Sequence, residues 1–376
     1  MRLLYQSLSY VPSRRASAVH VMKMCAALAR AGHDVTLATK RNRSRQEAGV
    51  GDDFAYYGVE ESFEIRKLTR PSWKGGGLVH LWHARRLALD SRGFDLIYSR
   101  DLAAAVMSAN SSMPLVFEAH GPPGSRWSKG LHGRLFTSRN LRRLVVISEA
   151  LKSLFERSGL LPMNLDVVVA HDAADPLSDT EPMREALPAS LTTPGRRRIG
   201  YVGHLYAGRG IEMMIQLARL IPDHDFHLIG GTESDLERWR SSAPPENLFL
   251  HGFVAPGRLP QIYRALDVLL APYQRRVLVA SGRTDTSAWM SPMKIFEYMA
   301  AGRPIIASDL PVLKEVLHHG KNALLVSPDT VEDWRKAVET VTSTPTLARA
   351  LARSARDDFF QHHTWDSRAA KVLAGI

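Results

Sequence analysis

YVGHLYAGRGIE, residues 201–212, decides how the chain is to be read. A short apolar strand pattern, Ile199–Val202, runs into Gly203, and Gly210 stands just before the helical spacing of Glu212–Leu220. Strand, glycine-bearing loop and helix in that order form the first half of a βαβ unit. In open parallel sheets, ligands bind beyond the carboxyl ends of the strands, so this loop is where a ligand is expected. Glycine lets the backbone come close to a ligand, and a helix N-terminus favours an anion. Arg209 adds a fixed charge whose planar fork suits phosphate. As a plain surface arginine it needs no ligand, and on this segment alone both readings stand. The G-x-G-x-x-G fingerprint is absent, which argues against a dehydrogenase.

The same alternation extends in both directions. Downstream come strands Phe226–Ile229, Leu248–His251, Val268–Ala271, Ile305–Ala307 and Ala323–Val326, with helices Ser234–Ser241, Leu259–Arg264, Met293–Ala301, Leu313–His318 and Val331–Thr342 between and after them. Upstream, strands are expected at Arg2–Tyr5, Asp34–Thr39, Leu96–Ser99, Leu115–Glu118, Leu144–Ile147 and Val167–Ala170. An amphipathic helix over Val19–Ala31 ends at Gly32. Each half therefore reads as right-handed βαβ units around a parallel sheet. Between the halves, Pro176, Pro182, Pro188 and Pro194 mark a linker. The expected architecture is α/β with two Rossmann-like, doubly wound domains: 1–175, then the linker 176–194, then 195–358. A C-terminal helix over 359–376 is expected to pack back on the first domain.

Composition agrees with two domains, because 376 residues exceed what one core usually holds. Apolar content of 45% and charged content of 23% are those of a globular enzyme rather than a disordered or fibrous chain. Cys25 is the single cysteine, so no internal disulfide forms and a reducing compartment fits. The N-terminus places a short apolar stretch before its basic residues, the reverse of a signal peptide. No run of about 18 apolar residues spans a membrane. A cytoplasmic location is expected.

The net charge of +11 is uneven. Residues 1–175 hold 25 Lys and Arg against 16 Asp and Glu; the remainder is nearly balanced. An anionic partner for the first half (a phosphorylated acceptor, an acidic lipid surface or nucleic acid) is one reading, and a general basic bias is the other. Two stretches, 73–89 and 126–144, interleave Trp, Phe and Leu with arginines. They suit peripheral contact with anionic lipid on the inner face of the cell membrane, or equally helices with one buried and one solvated basic face.

Further chemistry centres on SPMKIFEYMAAGRPIIASD, residues 291–309. Ser291 or Pro292 opens a helix, and Lys294 and Glu297, three apart, share one face. They read either as an exposed ion pair or as a diphosphate contact beside a carboxylate for a ribose diol. In FEAHGPPG, residues 117–124, His120 follows a strand end, as a packing residue or as a group at a cleft mouth. Arg100 and Asp101 also follow a strand, and Asp101 doubles as an N-cap candidate for the helix after it. No metal-ligand cluster is apparent along the chain; His362–His363 is a tail pair. No metal is expected.

Four segments in order, YVGHLYAGRGIE, LHGFVAPGRLPQIYRALDVLLAPY, SPMKIFEYMAAGRPIIASDLPVLKEV and GKNALLVSPD, resemble the donor domain of family-4 retaining glycosyltransferases of the GT-B fold, in their SPxKxxEYMA-type subset. The first half is similar to the same family through ASAVHVMKMCAALARAGHDVTLAT, LVFEAHGP and LVVISEALKSLF. The resemblance implies two domains facing a central cleft and transfer of a sugar, with retention, from a UDP- or GDP-linked donor. It implies a glycan or lipid-linked acceptor, cell-surface polysaccharide synthesis and no cofactor beyond the donor substrate.

Residue by residue, Glu297 matches the second glutamate of the family's E-x7-E motif, which holds the ribose. Arg209 replaces the usual diphosphate-binding lysine, and His204 stands where arginine is commonest. The first glutamate falls at Trp289, a departure that leaves Asp285 and Ser291 as candidate sugar contacts. Phe253 and Val254 match the nucleobase loop. The donor set is completed by Gly203, Met293, Lys294 and Ile295. His120 resembles the cleft histidine near the transferred sugar, and with Glu297 makes the catalytic pair. Ser17, Ala18 and His20, with Arg100 and Asp101, take the acceptor side. A sugar-nucleotide epimerase on the same fold and, from another class, a basic nucleic-acid-binding protein are the alternatives; the basic residues accompany no nucleic-acid motif, so no nucleic-acid partner is expected.

Overall fold

The computed structural model describes residues 1–42, 47, 49–68, 76–89, 93–177, 187–192, 194–279, 282 and 284–376, and for 76–78 and 80 the backbone alone. The chain forms two compact units, one of Met1–Asp172 with Trp365–Ile376 and one of Ala173–Thr364. Most of the expected linker, 178–186 and 193, lies outside the described residues, as do 73–75 of the first basic stretch.

The first unit is built on strands β1 (Arg2–Val11), β2 (Asp34–Arg41), β3 (Glu64–Leu68), β4 (Leu96–Ser99), β5 (Leu115–Ala119), β6 (Leu141–Val146) and β7 (Asp166–Val169). They lie in the order β3-β2-β1-β4-β5-β6-β7, all parallel. Between them run α1 (Ala16–Arg30), α2 (Asp53–Tyr57), α3 (Gly76–Leu89), α4 (Leu102–Ser108), α5 (Arg126–Phe136) and α6 (Glu149–Arg157). Helix α1 starts three residues before its expected point and buries Ala18, Val21, Met22, Cys25 and Leu28. That spacing of three and four is the apolar stripe of an amphipathic helix. Strand β3 was not legible from sequence: EIRKL is an edge strand whose residues are half-buried or exposed, so it lacks an apolar run.

The second unit holds β8 (Arg197–Val202), β9 (His224–Ile229), β10 (Leu248–Gly252), β11 (Val268–Ala271), β12 (Ile305–Ser308) and β13 (Leu324–Val326). Their order is β10-β9-β8-β11-β12-β13, again parallel. Helices α7 (Ile211–Leu220), α8 (Glu233–Arg240), α9 (Leu259–Ala265), α10 (Met293–Ala301), α11 (Val331–Ser343) and α12 (Pro345–His362) cover it. The expected helix Leu313–His318 is a single 3-10 turn, Leu313–Glu315. The core is continuous from Ile199 and Tyr201 through Phe226 and Leu270 to Trp334. Each such side chain withdrawn from water is worth about 1.5–3 kcal/mol.

The last helix, α13 (Trp365–Leu373), belongs to the first unit. Arg143 of β6 donates to the Val372 and Ala374 carbonyls, both at 2.8 Å, and so caps its C-terminal end. Arg30 of α1 reaches Asp366 at 2.9 Å. Helix α12, which carries residues 359–362 of the expected C-terminal segment, lies in the second unit instead.

Candidate active site

In the second sheet the strand order reverses between β8 and β11, so the loops after these two strands border the topological switch point, where open α/β sheets bind ligands. The loop after β8, 203–210, is laced to the loop after β11. Gln274 N donates to Gly208 O at 2.9 Å and Leu278 N to Ala207 O at 3.3 Å. Gly210 has φ 78° and meets Pro272 so closely that a Cβ would lie 1.9 Å from that carbonyl oxygen. Only glycine combines the left-handed backbone with that approach.

Two cations converge on this loop pair. Lys294, in the first turn of α10, places Nζ 3.5 Å from the centroid of the Tyr201 ring and 5.3 Å from that of Tyr273. Arg209 places its guanidinium carbon 5.3 Å from the same Tyr273 centroid. A Cβ added to Gly203, at φ 146°, would lie 2.6 Å from Lys294 Nζ. Both Lys294 Nζ and Arg209 Nε are buried without a hydrogen-bond acceptor. Burial, and then Arg209, hold the Lys294 ammonium well below the usual lysine range, and Glu297 opposes them only in part. His204 is pushed down to about 4 by burial and then by Arg209 and Lys294, so it stays neutral beside them. Its ring stacks on Tyr206 at 4.7 Å. His204 thus adds no positive charge beside Lys294 and Arg209 at neutral pH.

Helix α10 opens at Pro292, which makes no side-chain cap bond, and its first turn holds no acidic residue. This corrects the Ser291 cap: Ser291 lies one residue too early, and is buried. Met293 is half-buried at the first helical position. Ile295 turns into the core at 1% exposure, and its N–H bonds to the Pro292 carbonyl at 3.0 Å. Glu297 is half-buried and accepts a 2.6 Å hydrogen bond from the Tyr263 hydroxyl of α9. Phe253 and Val254 follow β10 directly, both half-buried. Asp285 accepts from the N–H groups of Val277 (2.9 Å) and Ser287 (3.0 Å), so one carboxylate oxygen is spent on shaping its own loop.

In the first unit, β5 ends just before His120, as expected. Its neighbour two residues back, Glu118, was overlooked. Residues i and i+2 on an extended strand share a face, and here that face carries a charge network. Glu118 is fully buried. It accepts hydrogen bonds from the Tyr98 hydroxyl and from Arg368 Nη1 at 3.1 Å; His120 Nε2 lies 2.5 Å away, His20 Nε2 3.0 Å, and Arg100 Nε, which donates to His120 Nε2 at 2.9 Å, 3.4 Å. Burial alone would raise its pKa; Arg368, His20 and the hydrogen bonds from both histidines outweigh that and hold it well below the usual carboxylate range. His120 is pushed down to about 4 by burial and then by Arg100, against the pull of Glu118. Its side chain keeps 28% exposure.

The acceptor residues divide. Ala18 and His20 are buried, at 0% and 1% exposure. The His20 ring sits between Glu118 and Asp172, 2.9 Å from the latter, so both side chains serve the interior of the unit. Ser17 is half-buried and offers its carbonyl to Arg100 Nη1 at 3.1 Å. Asp101 is the N-cap of α4, accepting from Ala104 N at 3.0 Å. Asp172 and Arg368, nearly 200 positions apart in the chain, carry no local motif. His20, Glu118 and His120 are the ligand types for a cation, within 4.8 Å of one another. Two guanidiniums already press on the shared carboxylate, however, and a third positive charge there is disfavoured.

With that geometry in place, similarity to known proteins is decisive. The family model described as "Glycosyl transferases group 1" matches residues 196–344, and "Glycosyl transferase 4-like domain" matches 15–171. An uncharacterized glycosyltransferase of Methanocaldococcus jannaschii is 21% identical over 95% of this chain and 92% of its own length. The D-inositol 3-phosphate glycosyltransferase of Rhodococcus erythropolis is 26% identical over 76% of this chain and 65% of its own. The crystal structure of Anabaena HepE in complex with UDP and glucose superposes with a TM-score of 0.74 at 17% identity, covering all of both chains. The fold is that of GT-B enzymes. The chain belongs to the family-4 type of GT-B glycosyltransferases.

Proposed function

We propose that the enzyme takes its sugar from a UDP- or GDP-linked donor and passes it, with retention, to a glycan or lipid-linked acceptor in cell-surface polysaccharide synthesis. One observation carries the donor assignment: Lys294 Nζ and Arg209 Nε are buried at the switch point with no acceptor. A buried cation without a partner is costly, and a diphosphate supplies the missing charge. The bound UDP of HepE makes UDP-sugars the first donors to test.

As the glycosidic bond to the diphosphate breaks, negative charge grows on the leaving phosphate. Lys294, Arg209 and the uncapped N-terminus of α10 are fixed in advance where that charge develops, which is how electrostatic preorganisation lowers a barrier. Two side-chain cations in this role make a divalent metal unnecessary. Glu297, oriented by Tyr263, accepts from the ribose hydroxyls. His120, neutral at physiological pH, is the first unit's own candidate for contact with substrate, as a hydrogen-bonding dipole rather than a charge.

Peripheral contact with anionic lipid rests on α5, where Trp127 is 71% exposed in a segment that also carries Arg126, Lys129 and Arg134. Among the described residues no helix is long and apolar enough to cross a membrane. Flotation with liposomes, with and without acidic lipid, tests that contact; equal recovery under both conditions removes it. The donor reading is tested by calorimetric titration of UDP, GDP and their sugars into wild type and Lys294→Ala. Tight binding to wild type alone is the expected result, and NMR of the product gives the anomeric outcome.

A further inference from the structure

A cavity of about 220 Å3 opens at the other end of the second unit's sheet, where β8 and β11 begin and the chain enters β12. Ligands of the donor type bind beyond the carboxyl ends of these strands, so this cavity is remote from the switch point. Three arginines line it: Arg197 at the start of β8, Arg303 just before β12, and Arg349 in the first turns of α12. Asp267 is its one carboxylate, and that group is engaged outside the arginine set. It accepts from the backbone N–H of Arg198 at 2.8 Å and from Arg198 Nε at 3.0 Å. Arg303 is held in place by a 2.6 Å bond to the Arg264 carbonyl.

The cavity also borders one flank of α12, an 18-residue helix, through Pro345, Ala348, Arg349 and Ala352, and the first turn of that helix holds no acidic residue. Three arginines therefore line one small space whose single carboxylate is bound to Arg198. An anion placed among like charges relieves their mutual repulsion. Val268 and Ala352 add an apolar floor. The volume is below that of drug-sized pockets, about 300–1,000 Å3, and suits a compact ligand.

We propose that this cavity is a second anion site, taking a small phosphorylated ligand (free phosphate or a sugar phosphate) separately from the donor. The arginine forks bind the phosphate oxygens and the floor accepts the sugar face or remains open. The site touches none of the residues assigned to sugar transfer, so its occupancy acts on the second unit's stability without competing with donor.

Isothermal titration of inorganic phosphate and of glucose 1-phosphate into three proteins tests this: wild type, Arg197→Ala/Arg349→Ala, and Arg209→Ala/Lys294→Ala. Arg197 and Arg349 are exposed, so the first double variant folds, and its circular dichroism checks that. The expected result is binding to wild type, retained in Arg209→Ala/Lys294→Ala and weakened about tenfold or more in Arg197→Ala/Arg349→Ala. Glucose 1-phosphate binding more tightly than phosphate identifies the sugar phosphate; equal affinities identify free phosphate. Undetectable binding to wild type at millimolar ligand overturns the proposal. So does binding lost from the switch-point variant and kept by the cavity variant.

Discussion

Nε2 of His120 lies 2.5 Å from Oε1 of Glu118, two residues back on the same face of β5, and the same carboxylate is gripped by Arg368 from the last helix of the chain. The partly exposed imidazole is thus oriented by a group no solvent reaches, and that group by a residue 250 positions away in sequence. Glu118→Gln keeps the shape and removes the charge. Loss of an orienting partner of this kind costs about 10- to 100-fold in activity, and it is expected in kcat with the donor KM nearly unchanged. Glu118→Ala leaves Arg368 and Arg100 facing an empty site, which destabilises the fold by about 3–5 kcal/mol. Steady-state kinetics and thermal unfolding read the two effects separately. A folded Glu118→Gln enzyme with wild-type turnover would sink the positioning role.

Lys294 makes the opposite trade. Its Nζ is buried, unpaired by hydrogen bonds and pressed by Arg209. Lys294→Met removes an amine whose charged form burial and Arg209 disfavour in the free enzyme, so the ligand-free protein is expected to gain stability, on the order of 1 kcal/mol. The same variant is expected to lose the stabilisation by UDP and about 2–4 kcal/mol of transition-state binding. Thermal unfolding with and without UDP, alongside kcat/KM, checks both halves. A variant that is less stable when free and still stabilised by UDP contradicts the reading of this site.

Why the sequence showed one site and hid half of the other follows from what each is made of. The second unit's site is local: Gly203 to Gly210 and Pro292 to Glu297 are two continuous segments whose glycine, proline and charge spacing records the loop–helix geometry directly. The first unit's network is assembled from β4, β5, α1 and α13, and no short window contains it. Glu118 reads there as the last residue of an apolar strand. Arg368 reads as one more basic residue in a tail helix, and His20 as a group on an exposed helix start. Edge strand β3 escaped for a related reason, since a strand that buries little leaves little hydrophobic signal. Most strands with a buried face lie within a few residues of where the sequence puts them, because burial is what writes their period, but β1 runs six residues past its expected end, to Val11.

Three histidines make the protein acid-sensitive. His120 and His204 are held at about 4 and His227 at about 3, against an ordinary value near 6.5. Burial is the leading cause in each. Because the folded state resists protonation that the unfolded chain accepts, the unfolded state binds more protons between pH 6.5 and about 3–4, and stability falls as pH falls through that window. Glu118 and Asp172, whose pKa values are lowered, add to the loss once pH drops below their unfolded range. His227 is fully buried and paired with His251 at 3.0 Å, so His227→Gln is the informative variant. Its unfolding midpoint is expected to decline less steeply from pH 6.5 to 4 than that of wild type. Parallel profiles would mean that this imidazole does not carry the effect.

Gly203 and Gly210 lie at the two ends of one loop, yet their replacement by alanine is expected to fail in different ways. At Gly210 the new Cβ meets a backbone carbonyl 1.9 Å away, at φ 78°. The loop after β8 cannot stay against Pro272, and the strain of a left-handed alanine, about 1–2 kcal/mol, is added to the clash. Gly210→Ala is therefore expected to lower the unfolding midpoint and abolish donor binding together. At Gly203 the nearest atom is the far end of Lys294, 2.6 Å from the added carbon, and a lysine tip can move. Gly203→Ala is expected to keep most of its stability, losing about the left-handed strain alone. It is expected to displace the ammonium from the diphosphate and raise the donor Kd at least tenfold. Calorimetric Kd and thermal midpoint for the two variants separate the cases: equal losses of both quantities in both would show that Lys294 is not the group Gly203 makes room for.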